Sequence, residues 1–475
     1  MEGQAESIAV WPGAALRRRL TPRSRRTLLI SVDVLLSLLA GVGAMAVWAY
    51  RGHFRFGTRF LAANWIWIAL FTLVWVVAAA LNDLYRPHLA RRMRHVLGGI
   101  LRAQLVLLAL YLVLYFVSRP RTLPRGIVLY YAVMATPLLL LWRWAFAAAL
   151  AHPRFGLRAI AVGAGWAGQT LAQLLRNELR QEFEVIGFVD DDPAKKGATV
   201  AGYPVLGSSS DLPSLVAGHN VQCLIVAITH GMRPELFRQV LRCQQQGIGV
   251  ITMRALYERT LERTPIDHLS EQWFLELEPP DLLTAAVKRA VDVLFALVFG
   301  ACFLALLPVI ALAIWLEDRG PIFYRQKRLG QNGREFWVYK LRTMRVDAEK
   351  DGPRWAERKD PRVTLVGSFL RPTRLDELPQ LWNLLKGEMS LVGPRPERPE
   401  FTAELERQIP YYRCRLSVKP GLTGWAQVRY RYGNSVEDAR IKLEYDLYYI
   451  KHQSLLLDLS IILRTIGVVL AFRGQ

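Results

Sequence analysis

The sequence predicts a membrane bundle of four helices, then an α/β domain and then a third, motif-rich part, and three observations support this. Four apolar stretches of helical length fill the first third of the chain. After residue 158 the apolar runs become short and alternate with polar, helix-like segments, as in an α/β domain. From about residue 281 basic residues and distinctive motifs become dense again. We therefore expect three parts, residues 1–155, 156–280 and 281–475.

The composition favours a membrane protein over a nucleic-acid-binding one. Of the 475 residues 52% are hydrophobic, and 61 Lys plus Arg against 40 Asp plus Glu give a formal charge of +21. Such a charge suits nucleic acid or an anionic lipid surface, but the apolar runs favour lipid and no nucleic-acid-binding motif is present. The four cysteines form no CxxC pair, which argues against a disulfide framework or a zinc site and favours a reducing, cytoplasmic environment.

The predicted bundle consists of stretches that are each about long enough to cross a bilayer as a helix. Six arginines lie between Arg17 and Arg26, and the loop at residues 86–94 is also rich in arginine, which mildly favours the cytoplasm for these two segments. The helices are either a plain anchor or a contributor to oligomer assembly or lipid access. The four stretches are residues 28–50, 61–81, 96–117 and 127–150.

The second part opens with a strand and the glycine pattern Gly163-x-Gly165-x-x-Gly168, and acidic residues 190–192 end the next strand. This context predicts a Rossmann-like domain with a possible nucleotide loop, because glycines let backbone N–H groups approach a pyrophosphate. No tyrosine in the chain has a lysine four residues later, a pair that redox enzymes acting on nucleotide sugars usually need. We therefore favour a regulatory or structural module over a catalytic one.

An apolar run at residues 292–316 begins the third part, and Pro308 lies inside it. A proline removes a backbone donor and kinks a helix, so the chain can enter the membrane and turn back. A full crossing would put the rest of the third part on the opposite side of the membrane from the Rossmann-like domain. We expect a re-entrant helix, with a continuous span as the alternative.

A stretch of alternating β-type and basic residues follows at residues 320–345. Lys340 and Arg342 are candidate phosphate ligands here. About half of the basic residues are equally well explained as a solvated or headgroup-facing surface.

The adjacent carboxylates Asp376 and Glu377 lie in a helix-like segment with arginines on either side. On an α-helix they would point about 100° apart and so can hold different roles. One carboxylate can attack phosphorus while its neighbour ligates Mg²⁺ or manages protons. Arg371 and Arg395 are suitable bidentate phosphate clamps. An isolated Asp-Glu pair, however, is more often only a helix surface.

Several long sequence motifs favour a catalytic role for the pair over a helix surface. PIFYRQKRLG, YKLRTM, RLDELPQLWNLLKGEMSLVGPRP and KPGLTGWAQVRYRYG resemble the catalytic domain of bacterial sugar transferases that are monotopic phosphoglycosyl transferases. The order of parts resembles the large form of this family, which initiates exopolysaccharide, capsule or O-antigen repeat units. The resemblance implies an α/β monotopic catalytic domain with a re-entrant membrane helix broken at Pro308.

The resemblance also implies a reaction. Asp376 would attack the sugar-bearing phosphate of UDP-glucose or UDP-galactose and expel UMP, and undecaprenyl phosphate would then take the phosphosugar. Glu377 would hold Mg²⁺, with Asp376 sharing it, and Arg371 would hold the acceptor phosphate. Arg395, between Pro394 and Pro396, would face the nucleotide. The site would lie on the cytoplasmic face of the bacterial inner membrane.

The sequence alone leaves three further points open. A homodimer is plausible, and a helix at residues 455–472 is either interfacial or packed within the domain. A nucleotide-sugar dehydratase or epimerase, or a non-catalytic assembly scaffold, are the alternative functions.

Overall fold

The computed structural model describes residues 22–86, 89–117, 126–149, 156–229, 231–269, 271–278, 281–348, 350, 360–430, 433 and 435–470. The arginines at positions 17–19, part of the predicted cytoplasmic segment, lie outside the described residues. The chain forms two compact units, and the boundary between them falls between Met253 and Arg254. By length and composition, five helices in the described residues are apolar enough to cross a membrane, the first four helices and the tenth.

The first unit begins with four long apolar helices that pack around a shared core. Trp75, Tyr131 and Phe146 are fully buried there. A buried ion pair also lies within the bundle, since Arg143 contacts Asp33 at 2.5 Å and donates to the Leu84 carbonyl at 2.6 Å. The helices are α1 (Pro22–Arg51), α2 (Thr58–Leu81), α3 (Met93–Val117) and α4 (Ile127–Ala149).

An α/β domain with a mixed sheet follows in the same unit, as the sequence predicts. The six strands lie in the order β3-β4-β2-β1-β5-β6, and only β3 runs antiparallel to its neighbour. The five parallel strands have the order of the first five strands of a doubly wound sheet. The elements are β1 (Leu157–Val162), α5 (Trp166–Leu174), β2 (Phe183–Val189), β3 (Thr199–Val200), β4 (Tyr203–Gly207), α6 (Leu212–Gly218), β5 (Cys223–Val226), α7 (Pro234–Gln245) and β6 (Gly249–Thr252).

The second unit is built from helices and two small sheets. β7 pairs antiparallel with β8, and β9 pairs parallel with β10. Its elements are α8 (Met253–Leu261), α9 (Glu271–Leu275), α10 (Leu282–Asp318), β7 (Phe323–Leu329), β8 (Glu335–Leu341), α11 (Leu365–Thr373), α12 (Leu381–Lys386), β9 (Ser390–Val392), α13 (Pro399–Gln408), β10 (Gly421–Thr423), α14 (Trp425–Arg429), α15 (Val436–Lys451) and α16 (Leu455–Leu470).

The core of this unit reaches further toward the N-terminus than residue 281, where we expected the third part to begin. Trp273 is fully buried in the same cluster as Leu384, Met389 and Leu447. The Trp425 indole donates to the Glu262 carbonyl at 2.9 Å. Residues 254–278 therefore belong to the packing of the C-terminal unit.

Helix α10 contains the predicted apolar run and continues unbroken through Pro308. Asp281 caps its start by accepting from the Thr284 N–H at 2.7 Å, and Arg319 in the left-handed region ends it. Apolar side chains such as Leu304 and Val309 remain exposed along its middle. A helix therefore covers the predicted run, but it shows no break at Pro308, and its re-entrance stays a prediction.

Candidate active site

The two candidate carboxylates lie in a short 3₁₀ segment, Leu375–Gln380, rather than in an α-helix. Arg374 adopts a left-handed conformation with φ 54°, which ends α11 and starts the tighter turn. Pro379 lies inside the segment and has no N–H to donate to a regular helix. With three residues per turn, Asp376 and Glu377 point about 120° apart, rather than the 100° of an α-helix. The two side chains can therefore still occupy different environments.

Glu377 is buried among cations. Its carboxylate accepts from Lys340 Nζ at 3.1 Å and from Arg395 Nη2 at 2.5 Å, and Arg374 Nη1 lies 3.8 Å away. Burial opposes ionisation of this group, but the charges of Arg395, Lys340 and Arg374 outweigh it and hold its pKa well below the usual range. Glu377 is thus a fixed anion that gathers positive charge.

Asp376 differs from Glu377 in its hydrogen bonding. It is 8% exposed, and no residue in the described part of the chain donates a hydrogen bond to it. Burial, and after it the negative charge of Glu377, raises the pKa of Asp376 to about 6. Its carboxylate oxygens are therefore not committed to the fold.

Arg371 reaches the same site from α11, the preceding helix. Its Nε donates to Thr343 Oγ1 at 3.0 Å, which fixes one edge of the guanidinium. Its charge also favours the ionised form of Asp376. The structure therefore brings Arg371 close to the carboxylate pair, as the sequence predicts.

Arg395 comes from the turn after β9 and makes the shortest contact to Glu377. Pro394 and Pro396 flank it, and all three residues line a small cavity together with Leu329, Gly330 and Arg415.

Arg342 lies elsewhere, although the sequence grouped it with Lys340. Its side chain is 7% exposed and forms an ion pair with both oxygens of Asp318, where α10 ends. The strand β8 pairs antiparallel with β7, and β7 follows α10 in the chain. Arg342, directly after β8, therefore lies beside the end of α10 and pairs with it. Arg342 anchors α10 in this structure, and phosphate binding by it remains an untested expectation.

The glycine loop lies in the first unit. Gly163 has φ +102°, and a Cβ on Gly168 would stand 2.3 Å from the Gly163 carbonyl oxygen. A Cβ on Gly165 would meet nothing within 4 Å. Asp190, the first of the acidic residues 190–192, accepts from the Ala164 N–H at 2.6 Å and is also 3.3 Å from Lys195 Nζ.

Some site residues were missed in the sequence. Arg374, Thr343, Arg328 and Arg415 all contact the predicted residues or the turn that bears them. Arg374 could have been predicted from the sequence, since it stands two residues before Asp376. The others are too distant along the chain for spacing to indicate them.

A divalent metal was expected at Asp376 and Glu377, and the donor set suits Mg²⁺ without a protein cage. Among the described residues there is no cluster of three or more His, Cys, Asp or Glu. Mg²⁺ is commonly bound by one or two carboxylates, with substrate phosphates and waters completing its shell. The uncommitted oxygens of Asp376 next to Glu377 match that pattern.

Comparison with known proteins finds two family matches. Residues 283–472 match the bacterial sugar transferase family, and residues 80–253 match a CoA-binding domain. The first match contains every residue of the carboxylate site.

The names of individual relatives agree with the match to the bacterial sugar transferase family. A putative undecaprenyl-phosphate N-acetylgalactosaminyl 1-phosphate transferase of Bacillus subtilis (strain 168) is 52% identical over 131 residues, which are 28% of this chain and 73% of that protein. A UDP-glucose:undecaprenyl-phosphate glucose-1-phosphate transferase of Escherichia coli (strain K12) is 33% identical over 65% of this chain and 70% of that protein.

A third relative is the UDP-N-acetylgalactosamine-undecaprenyl-phosphate N-acetylgalactosaminephosphotransferase of Aeromonas hydrophila. It is 42% identical over 50% of this chain, and the match spans 56% of its own length, little more than half. With the Bacillus and Escherichia relatives covered over more than two thirds of their lengths, this chain belongs to the bacterial sugar transferase family.

Proposed function

We propose that this chain transfers a hexose-1-phosphate from a UDP-sugar to undecaprenyl phosphate, releasing UMP through a phosphosugar bound to Asp376. One observation carries the proposal: of two adjacent buried carboxylates in one cationic site, only one is hydrogen-bonded to the cations. Glu377 accepts from Lys340 and Arg395, whereas the carboxylate of Asp376 accepts no hydrogen bond from the described residues. The family and the names of the relatives supply the reaction class.

In the first step a carboxylate oxygen of Asp376 attacks the sugar-bearing phosphorus. The bond between that phosphorus and the bridging oxygen breaks, and UMP leaves with the electron pair. In the second step a phosphate oxygen of the lipid acceptor attacks the same phosphorus, and the bond to Asp376 breaks. The carboxylate is regenerated, and the product is a diphosphate-linked lipid sugar.

The cations have separate parts in this proposal. Arg395, with the turn of Pro394 and Pro396, binds the nucleotide side of the donor, and Arg371 binds the acceptor phosphate. Lys340 holds Glu377 in place. Such fixed charges stabilise phosphoryl transfer without reorganising during the reaction.

Asp376 and Glu377 would hold Mg²⁺, which supplies charge neutralisation for the donor's phosphates. We expect chelation by EDTA to stop turnover and added Mg²⁺ to restore it.

The contacts at the two ends of α10 support a re-entrant helix rather than a crossing. Near its start, Arg289 donates to the Leu384 and Leu385 carbonyls, and Asp292 accepts from the Leu391 N–H at 2.7 Å. Near its end, Glu317 accepts from the Leu365 N–H at 2.5 Å. Both ends are thus hydrogen-bonded within one compact unit, which a bilayer between them would prevent.

The site would lie at the cytoplasmic face of the bacterial inner membrane, where UDP-sugars are available, with α1 to α4 as membrane spans. The donor sugar is glucose or galactose in our expectation. Because two relatives are named for N-acetylgalactosamine, that donor belongs in the same test.

The test measures the nucleotide that the purified protein releases from each UDP-sugar with undecaprenyl phosphate and Mg²⁺. We expect UMP with at least one donor and a diphosphate-linked lipid in equal amount. UDP in place of UMP would indicate ordinary glycosyl transfer and would overturn the proposal, as would unchanged release by Asp376→Asn.

A further inference from the structure

The turn that bears Arg395 is held along its whole backbone. Four consecutive carbonyls, from Pro394 to Glu397, each accept a hydrogen bond from another part of the second unit. The donors are Gly421 N–H to Pro394 at 2.9 Å, Arg415 Nη2 to Arg395 at 3.0 Å, Arg328 Nη1 to Pro396 at 3.0 Å and Leu329 N–H to Glu397 at 3.0 Å. Two of these four donors are arginine side chains.

Close packing against neighbouring backbone also restricts displacement of the turn. A Cβ on Gly421 would stand 2.1 Å from the Gly393 N atom, and one on Gly424 would stand 2.2 Å from the Gly393 carbonyl oxygen. The two prolines fix their own φ angles near −65°. The backbone of the turn therefore has one available position.

Arg415 is itself firmly placed. Its side chain is 5% exposed, pairs with Asp446 at 2.8 Å and donates to the Tyr412 hydroxyl at 2.7 Å. It does not contact Glu377 or Asp376 in the described contacts. Its remaining polar contacts are the Glu397 carboxylate at 3.7 Å and the carbonyl of Arg395.

Arg328 is placed by a similar chain of contacts on β7. It donates to Gln326 Oε1 at 2.6 Å, and Gln326 Nε2 donates to the Tyr324 hydroxyl at 2.8 Å. Tyr324 is the cross-strand partner of Lys340 on β8. The same strand pair thus places Arg328 on the turn and Lys340 on Glu377.

The Arg395 side chain needs this support. It is 40% exposed, and a long arginine chain has many rotamers, yet its guanidinium must remain on the Glu377 carboxylate. Fixing the backbone beneath it reduces the positions that the guanidinium can reach. A misplacement of about 1 Å in a phosphoryl-transfer site can cost on the order of 10²-fold in rate.

We propose that Arg328 and Arg415, the latter held by Asp446, are positioning residues that fix Arg395 against Glu377 and touch neither substrate. This rests on the proposed function. A merely structural role would lower the amount of folded protein, whereas a positioning role lowers the turnover of folded protein and does so only through Arg395.

The first experiment is a double-mutant cycle on UMP release. Arg328→Met is expected to lower kcat/KM for the UDP-sugar about tenfold in the native background and less than about twofold in an Arg395→Ala background. An equal loss in both backgrounds would overturn the proposal. Arg413→Met is the matched control, since Arg413 lies beside Arg415 in sequence but is 61% exposed and pairs only weakly with Glu406.

The second experiment separates folding from positioning at Arg415. Arg415→Met alone leaves Asp446 buried and unpaired, so it is expected to unfold easily. Combining it with Asp446→Leu removes both charges and is expected to restore thermal stability while UMP release stays about tenfold low. Full activity in the stable double variant would contradict the proposal. If the native chain releases no UMP with any donor, the proposed function fails instead.

Discussion

Two carboxylate sites in this molecule look alike in sequence and differ in structure. In the six-stranded mixed sheet, Asp190 follows the end of β2 beside the glycine loop and accepts from the Ala164 and Asp192 N–H groups. In the second unit, Asp376 is buried in a cationic site and accepts no hydrogen bond from the described residues. The carboxylate of Asp190 therefore stabilises its domain through hydrogen bonds, and the carboxylate of Asp376 does not.

The difference is visible in their pKa values. Burial opposes ionisation of Asp190, but its hydrogen bonds to the loop and Lys195 outweigh that effect and lower its pKa. Burial and the neighbouring Glu377 raise the pKa of Asp376 to about 6. A buried carboxylate whose ionised form the fold disfavours contributes nothing to stability by its charge, which points to a functional role.

The largest expected effect is that of Asp376→Asn on turnover. We expect UMP release to fall by on the order of 10³-fold or more, because the amide cannot form the covalent intermediate. We also expect thermal stability to stay the same or rise, because the fold gains nothing from this charge. A large loss of stability would contradict the comparison.

Glu377→Gln is expected to cost stability as well as activity. Three cations would lose their shared anion, and breaking a buried pair costs about 3 kcal/mol, less here because Arg395 is partly exposed. Thermal unfolding in detergent measures this. Glu335→Gln is the control, since its exposed pair with Lys327 is expected to contribute almost nothing.

Gly168→Ala probes the glycine loop without touching a charge. The new Cβ would stand 2.3 Å from the Gly163 carbonyl oxygen, so we expect a loss of about 1–3 kcal/mol. Gly165→Ala, which meets nothing within 4 Å, is expected to lose much less. Equal stability of the two variants would show that the loop does not adopt this conformation.

Asp190→Asn is expected to have the smallest effect. It weakens hydrogen bonds that the loop uses internally, at a cost of about 1 kcal/mol, and should leave UMP release within about twofold. Both variants replace Asp by Asn, so a difference in turnover between Asp190→Asn and Asp376→Asn reflects the surroundings of the two residues and not the substitution itself. A loss of turnover comparable to that of Asp376→Asn would assign the loop a direct part in the reaction.

Local patterns in the sequence predicted the elements well. The apolar stretches became α1 to α4, and the glycine pattern became the turn between β1 and α5, because both depend on neighbouring residues. The sequence assigned Arg395 and Glu377 to one site, because both lie in the string RLDELPQLWNLLKGEMSLVGPRP, but it did not predict the contact between them.

Contacts between distant segments were not predictable in the same way. Arg342 was grouped with Lys340 by spacing, yet it pairs with Asp318, 24 residues earlier. The contact between Arg415 and the Arg395 carbonyl joins two segments 20 residues apart, and no spacing rule indicates it. The 3₁₀ segment was likewise read as helix: Pro379 inside it argued against a regular helix, but the left-handed conformation of Arg374 that ends α11 leaves no mark in the sequence.

The central claim is that Asp376 becomes covalently linked to a sugar phosphate. The direct measurement is the intact mass of the purified protein after incubation with a UDP-sugar and Mg²⁺ in the absence of undecaprenyl phosphate, followed by peptide mapping. We predict an added hexose phosphate on the peptide containing Asp376, lost on adding the acceptor and absent in Asp376→Asn. Steady UMP release in the presence of acceptor with no such adduct, or an adduct that persists in Asp376→Asn, would contradict the claim.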